Sequence, residues 1–185
     1  ENTISQRQRK LSTILAMDAV NYTAKMGADE EGTLEQLALC REIIKKAVTK
    51  QQGRIFNTAG DAFMIEFASP VGAVTAAIDI QKKISSENLS LEQNDRLEFR
   101  AGINMGDIII EGENLFGEGV NVAARLESIS LPGSICVSEI IKSFKEISNK
   151  EFIINLSQDS NSFKISKVIE IIYGIRNFIG NANKF

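Results

Sequence analysis

Histidine is absent from all 185 residues. That removes Ser-His and Cys-His nucleophile systems and His-ligated metals, and it leaves carboxylates as the available metal ligands. Cysteine occurs only at Cys40 and Cys136, each inside an apolar pattern, so neither a disulfide framework nor a thiolate zinc site is indicated. No apolar run approaches the roughly 20 residues that cross a bilayer, and the polar start Glu1–Lys10 lacks the form of a signal peptide. No Met stands at position 1, from which we expect a fragment of a longer protein. Basic excess is missing too. A net charge of −3 argues against a general nucleic-acid surface, and the short cluster Arg7, Arg9, Lys10 reads as a solvated lead-in. There is no Gly-x-x-x-x-Gly-Lys-Ser/Thr loop, hence no Walker-type phosphate site, and there is no internal repeat.

What is present fits one globular domain, with 43% of residues hydrophobic and 24% charged. Leu11 to Met17 reads as a buried strand. Asp29-Glu-Glu-Gly-Thr33 opens a long helix with Leu34, Leu37, Ile44 and Val48 at helical spacing, stopped by Gly53. Arg54 to Phe56 and Ala62 to Phe67 then form a hairpin around Asn57-Thr-Ala-Gly-Asp61. Ser69-Pro70 caps a second helix whose apolar face is Val74, Ala77, Ile78 and Ile84. Arg100 to Asn104 and Ile108 to Glu111 read as a second hairpin about Met105-Gly-Asp107. Gly117-Glu-Gly119 leads into a helix through about Ile129, with Val122, Leu126 and Ile129 buried. A late strand Ser134 to Val137, a short helix, and a closing hairpin of Phe163 to Ile165 with Val168 to Ile175 follow. The fold class expected is α+β, a ferredoxin-like βαββαβ core with additional C-terminal strands and helix, its helices on one face and the other face open for a partner or ligand.

Two acidic residues stand at ends of strand-like runs. Asp18 follows Ser12-Thr-Ile-Leu-Ala-Met17, ahead of Ala19-Val-Asn-Tyr-Thr23, whose backbone N–H groups can open towards a phosphate. Taken alone, Asp18 is better explained as an ordinary helix N-cap. Asp61 in Ala59-Gly-Asp-Ala62 suits a hairpin turn as well as a ligand site. As a pair they say more. On adjacent strands the carboxylates would meet at one end of the sheet and repel unless cations neutralise them, which points to two-metal chemistry on a nucleoside triphosphate. Asn121 and Arg125, four apart on a helix, share a face that is either solvated or grips ribose and phosphoryl group. Lys164 near a strand end counts as a phosphate ligand only within the whole constellation.

Several ordered stretches carry a resemblance to a known family. They are Gly27-Ala-Asp-Glu-Glu-Gly-Thr33, Asn57-Thr-Ala-Gly-Asp-Ala-Phe-Met-Ile-Glu-Phe67, Ala101-Gly-Ile-Asn-Met-Gly-Asp107, Gly117-Glu-Gly-Val-Asn-Val-Ala-Ala-Arg-Leu-Glu127 and Pro132-Gly-Ser-Ile-Cys-Val-Ser138. Together, over about residues 10 to 175, they resemble the class III nucleotidyl cyclase catalytic domain, most closely bacterial adenylate cyclases. The resemblance implies the nucleotide cyclase fold, with a lead-in at 1–9, the catalytic domain at 10–175 and a tail at 176–185. It implies that Asp18 and Asp61 hold two Mg²⁺ or Mn²⁺ ions. Asn121 would orient the ribose, Arg125 would stabilise charge on the α-phosphate, and Lys164, with Tyr173 in register behind it, would bind the triphosphate. The expected reaction converts ATP to 3′,5′-cyclic AMP and pyrophosphate at two composite sites of a head-to-tail homodimer. Each composite site takes its metal aspartates from one subunit and its Asn, Arg and base-reading residues from the other.

Two positions depart from the pattern. Where adenylate cyclases carry a base-reading lysine and aspartate, this chain has Asn57 and Asn114, and these do not match the glutamate and cysteine of guanylate cyclases either. An amide can donate or accept, so adenine can still be read with less penalty against guanine, and GTP remains a second candidate substrate. The alternative from another functional class is a degenerate domain that binds nucleotide or dimerises to regulate a neighbour. ATP use, absent disulfides and absent spans lead us to expect a cytoplasmic domain, with regulatory modules outside this chain.

Overall fold

The computed structural model describes residues 8–144, 153–155 and 168–170. Its spine is β1 (Gln8–Ala19), buried on both sides through Thr13–Met17 as expected of a near-continuous apolar run at the centre of a sheet. On one edge β1 pairs antiparallel with β3 (Ala62–Phe67), from Thr13 opposite Phe67 to Met17 opposite Phe63. On the other it pairs with β4 (Phe99–Glu111), from Gln8 opposite Ile110 to Ala19 opposite Phe99. β2 (Arg54–Ala59) completes the outer edge, which gives the order β2-β3-β1-β4 of a βαββαβ unit. The far edge of β4 carries β5 (Asn114–Phe116), antiparallel near its end, and β6 (Ile135–Val137), parallel to Ala101–Ile103.

Between these strands run α1 (Tyr22–Ala28), α2 (Glu30–Lys50) and α3 (Pro70–Asn88). Asp29 caps α2 by accepting from the Gly32 N–H at 3.1 Å, and Ser69 caps α3 by accepting from the Gly72 N–H at 3.2 Å, with Pro70 first in the helix. Leu37, Cys40, Ile44 and Val48 of α2 and Val74, Ala77, Ile80 and Ile84 of α3 bury against Leu15, Met17, Ile65, Phe67, Phe99 and Ile103. Leu34, expected in that stripe, is 46% exposed. The left-handed residue behind α2 is Gln52 at φ 56°, one position before the Gly53 expected to end the helix.

The face expected to be open is partly covered. Helix α4 (Glu118–Ile129) lies on it over β1 and β4, and Ala123 joins Ile14, Ala16, Ile108 and Leu115 in a second, smaller core. The buried stripe of α4 is therefore Gly119, Ala123 and Leu126, with Val122 half-buried and Ile129 47% exposed. The reason is on the strand. A Cβ on Gly102 would stand 2.2 Å from the Glu127 nitrogen and 2.3 Å from the Ala123 carbonyl oxygen, so helix and strand pack backbone to backbone. The hairpin expected about Met105-Gly-Asp107 is absent. β4 runs straight through it, held by the full length of β1, and the chain turns at Gly112, where φ is 61°. Arg9 and Lys10 are strand residues with partners, Asp107 at 2.7 Å and Glu66 at 2.6 Å, instead of a solvated lead-in.

After β6 comes the short α5 (Glu139–Lys142), and β7 (Ile153–Asn155) pairs antiparallel with β8 (Val168–Glu170). β8 falls within the second strand expected of the closing hairpin, but the partner it has is β7, a strand not expected from the sequence. Phe163 to Ile165 lie outside the described residues.

Candidate active site

Strand parity sets the site. Along β1 the odd positions Leu15 and Met17 face α2 and α3, whereas Ile14 and Ala16 face α4, so Asp18 falls on the α4 side. It sits inside β1 and caps no helix. The N-cap of α1 is Asn21, at φ 57° and without a side-chain cap bond. Asp61 occupies the two-residue turn between β2 and β3, bounded by the pair Ala59–Ala62. Because β3 is the neighbour of β1, the turn delivers Asp61 to the end of β1, close enough to Asp18 for the two carboxyls to act on each other.

The electrostatics follow from that meeting. Burial pushes the Asp61 carboxyl up from its ordinary value, and the neighbouring Asp18 carboxyl pushes the same way. The backbone N–H groups of Asp61 and Ala19 pull in the opposite direction. Of the segment expected to open towards phosphate, the Val20 N–H is already engaged, bonding the Glu98 carbonyl at 2.8 Å.

Two residues that sequence reasoning missed complete the cluster. Arg100 lies directly across the ladder from Asp18 and donates from Nη2 to its Oδ2 at 3.0 Å. On its other side Nε stands 3.1 Å from Oε1 of Glu127 on α4, an ion pair not aligned as a hydrogen bond, and Nη1 reaches the Ser128 carbonyl at 3.3 Å. Burial pushes the Glu127 carboxyl up, Arg100 opposes this, and Asp18 and Asp61 add to it. Sequence separation hid the link, since 82 residues part Arg100 from Asp18. The available signal was that Asp18 and Arg100 flank apolar runs destined for adjacent strands.

Asn121 and Arg125 stand one turn apart on the exposed side of α4, away from the buried positions Gly119, Ala123 and Leu126. Asn57 on β2 and Asn114 on β5 are both exposed, on elements joined where Arg54 Nη1 donates to the Glu113 carbonyl at 3.0 Å. A bulge at Phe56 shifts the register between Ile55 and Asn57, placing Asn57 opposite Met64. Lys164 and Tyr173 lie outside the described residues. The structure therefore unites Asp18 with Asp61, and Asn121 with Arg125.

Two apposed carboxylates whose repulsion is only partly relieved by one guanidinium suit a hard divalent cation of the Mg²⁺ or Mn²⁺ kind. Among the described residues no three Asp, Glu, Cys or His side chains converge as a metal-holding group.

Residues 5–170 match the adenylate and guanylate cyclase catalytic domain. The chain belongs to that family. It is 40% identical over 138 residues to the Rhizobium meliloti (strain 1021) protein named "Putative adenylate cyclase 3", an alignment covering 74% of this chain and 24% of that protein. The chain thus spans about a quarter of the length of this relative. The crystal structure of an adenylate/guanylate cyclase/hydrolase from Silicibacter pomeroyi superposes with a TM-score of 0.76 at 33% identity, covering 89% of this chain and 96% of the other. That of the adenylyl cyclase CyaB from P. aeruginosa gives 0.71 at 22% identity, with 89% and 94% covered, and agrees in fold. This class III cyclase domain has the α+β sheet of its solved relatives, and none of its described helices is long and apolar enough to cross a membrane.

Proposed function

We propose that this cyclase domain converts ATP to 3′,5′-cyclic AMP and pyrophosphate at composite sites of a head-to-tail homodimer. The observation that supports it most is the meeting of Asp18 and Asp61, two carboxylates at one end of the sheet on the face that α4 shares. These two residues would hold a pair of Mg²⁺ or Mn²⁺ ions. Such ions, when bound, neutralise phosphate charge and favour ionisation of the ribose 3′-hydroxyl. Asn121 on one protomer orients the ribose of a nucleotide whose triphosphate lies over the carboxylates of its partner. Arg125, one turn further on, faces the charge that grows on the α-phosphate as the 3′-oxygen attacks and pyrophosphate leaves. Lys164 is assigned to the triphosphate and Asn57 with Asn114 to the base. Adenine is the preferred base on the strength of the relative named an adenylate cyclase, and the amide pair gives weaker exclusion of guanine than a lysine-aspartate pair. We place the domain in the cytoplasm, where its triphosphate substrate is.

The departure at Asn57 and Asn114 favours one second reading, a domain that binds nucleotide or dimerises for regulation without turnover. Incubating the protein with ATP or GTP and Mn²⁺ or Mg²⁺, beside an Asp61→Ala variant, separates the two. Asp61-dependent cyclic AMP, in excess of cyclic GMP, is expected. A folded dimer yielding neither product would leave the regulatory reading.

A further inference from the structure

We infer that Glu127 is a positioning residue that, through Arg100, ties the Asp18–Asp61 pair to helix α4, so that a cation at the carboxylates is felt by the helix bearing Asn121 and Arg125. The inference rests on the reading of Asp18 and Asp61 as metal ligands.

Three features of the chain carry it. Arg100 is shared between the ends of the link, with Nη2 on Asp18 at 3.0 Å, Nε against Glu127 at 3.1 Å and Nη1 on the Ser128 carbonyl at 3.3 Å. The middle contact has slack, because Arg100 Nε and Glu127 Oε1 are both buried without a hydrogen-bond partner, although they are an ion pair. A small movement of the guanidinium towards Glu127 would align that pair. Finally, α4 meets β4 without side chains between them at Gly102, two residues beyond Arg100, where an added Cβ would touch the Glu127 nitrogen. Once that pair is aligned, the tight backbone contact at Gly102 leaves the last turn of α4 little room to move independently of the strand that carries Arg100.

A cation on Asp18 and Asp61 competes with Arg100 for the Asp18 carboxylate and repels the guanidinium. Glu127 and the Ser128 carbonyl are the partners left to it, both on α4. In a composite dimer that helix serves the neighbouring site. Occupancy of one half-site is thereby linked to the placement of Asn121 and Arg125 in the other, and the linkage is reciprocal.

The test needs no nucleotide and no turnover. Backbone hydrogen–deuterium exchange of residues 118–130 is followed with and without Mn²⁺ in the wild type, Asp61→Asn, Glu127→Gln and Glu127→Asp, with each Mn²⁺ affinity taken by calorimetry. Mn²⁺ is expected to change α4 exchange by about fivefold or more in the wild type and not in Asp61→Asn. In Glu127→Gln, Mn²⁺ should still bind, roughly three- to tenfold more weakly, while α4 no longer responds. Glu127→Asp, which keeps the charge, should recover part of the response. Mn²⁺ binding that leaves wild-type α4 unchanged, or a Glu127→Gln protein that responds like the wild type, overturns the inference alone. Absence of Asp61-dependent Mn²⁺ binding overturns it together with the metal-site reading.

Discussion

Gly102 meets the backbone of Ala123 so closely that any side chain would have to displace helix α4, since a Cβ would stand 2.3 Å from the Ala123 carbonyl oxygen. The strand and helix so joined also carry Arg100 and the pair Asn121, Arg125. Packing and chemistry therefore share one contact.

Gly102→Ala is expected to lower stability by about 1–3 kcal/mol, the usual cost of forcing a methyl group into a filled interior, and to lower kcat further by moving Asn121 and Arg125. Denaturant unfolding and steady-state kinetics on the same protein check both. Unaltered stability would contradict the packing described.

The second expectation concerns Asp61. Its folded-state pKa lies above its ordinary value of 3.8, so the folded chain holds the proton more tightly than the unfolded one. Stability then falls as pH rises from 3.8 through the raised value and stays at the lower level above it. Asp61→Asn should accordingly raise the thermal midpoint of the metal-free protein at neutral pH. Mn²⁺ at 100 times its Kd should stabilise the wild type by about 2.7 kcal/mol and the variant by far less. Thermal unfolding with and without Mn²⁺ measures both effects.

Glu66 behaves in the opposite way. It is buried on the α4 side of the sheet, with the Ser12 hydroxyl at 2.8 Å, Lys10 at 2.6 Å and Arg54 at 3.1 Å. Burial works to raise its pKa, but these hydrogen bonds and the Lys10 charge outweigh it and hold the carboxyl below its ordinary 4.5. The resulting stability is fully present above 4.5 and disappears as pH falls through the lowered value. Glu66→Gln should cost roughly 1–3 kcal/mol at neutral pH, short of a fully buried pair because Lys10 and Arg54 keep access to water. The gap between the two unfolding curves should close in acid.

Much of this architecture was legible from residue patterns, and the failures share a cause. The caps Asp29 and Ser69-Pro70, the turn at Asp61 and the apolar face of α3 are local signals that tertiary structure left in place. Met105-Gly-Asp107 looked like a turn because glycine and aspartate favour turns. In the sheet, β1 supplies a partner along the whole of β4, and the close approach of α4 supplies the reason for small residues. The same approach rotates the α4 stripe from Val122 and Ile129 to Gly119 and Ala123, which amphipathic spacing alone ranks lower. At the site, Asp18 and Asp61 were readable as strand-end carboxylates. Arg100 and Glu127 were not, because their meaning depends on which strands become neighbours.

Base selectivity offers a fourth expectation. Asn57 and Asn114 are exposed on β2 and β5, where a lysine and an aspartate have room to replace them. The double variant Asn57→Lys with Asn114→Asp should raise the ratio of kcat/KM for ATP over GTP by at least about tenfold, because a committed donor and acceptor leave guanine with mismatched groups. An unchanged ratio would remove these positions from base reading.

The composite site is tested most directly by mixing. Asp61→Ala and Arg125→Ala are assayed for cyclic AMP alone and in equal amounts after subunit exchange. Each alone should be inactive, and the mixture should recover about one quarter of wild-type activity, since half of randomly formed dimers are mixed and each of those has one intact site of two. A mixture no more active than its components, with dimers formed and the wild type active, would contradict a site shared between protomers.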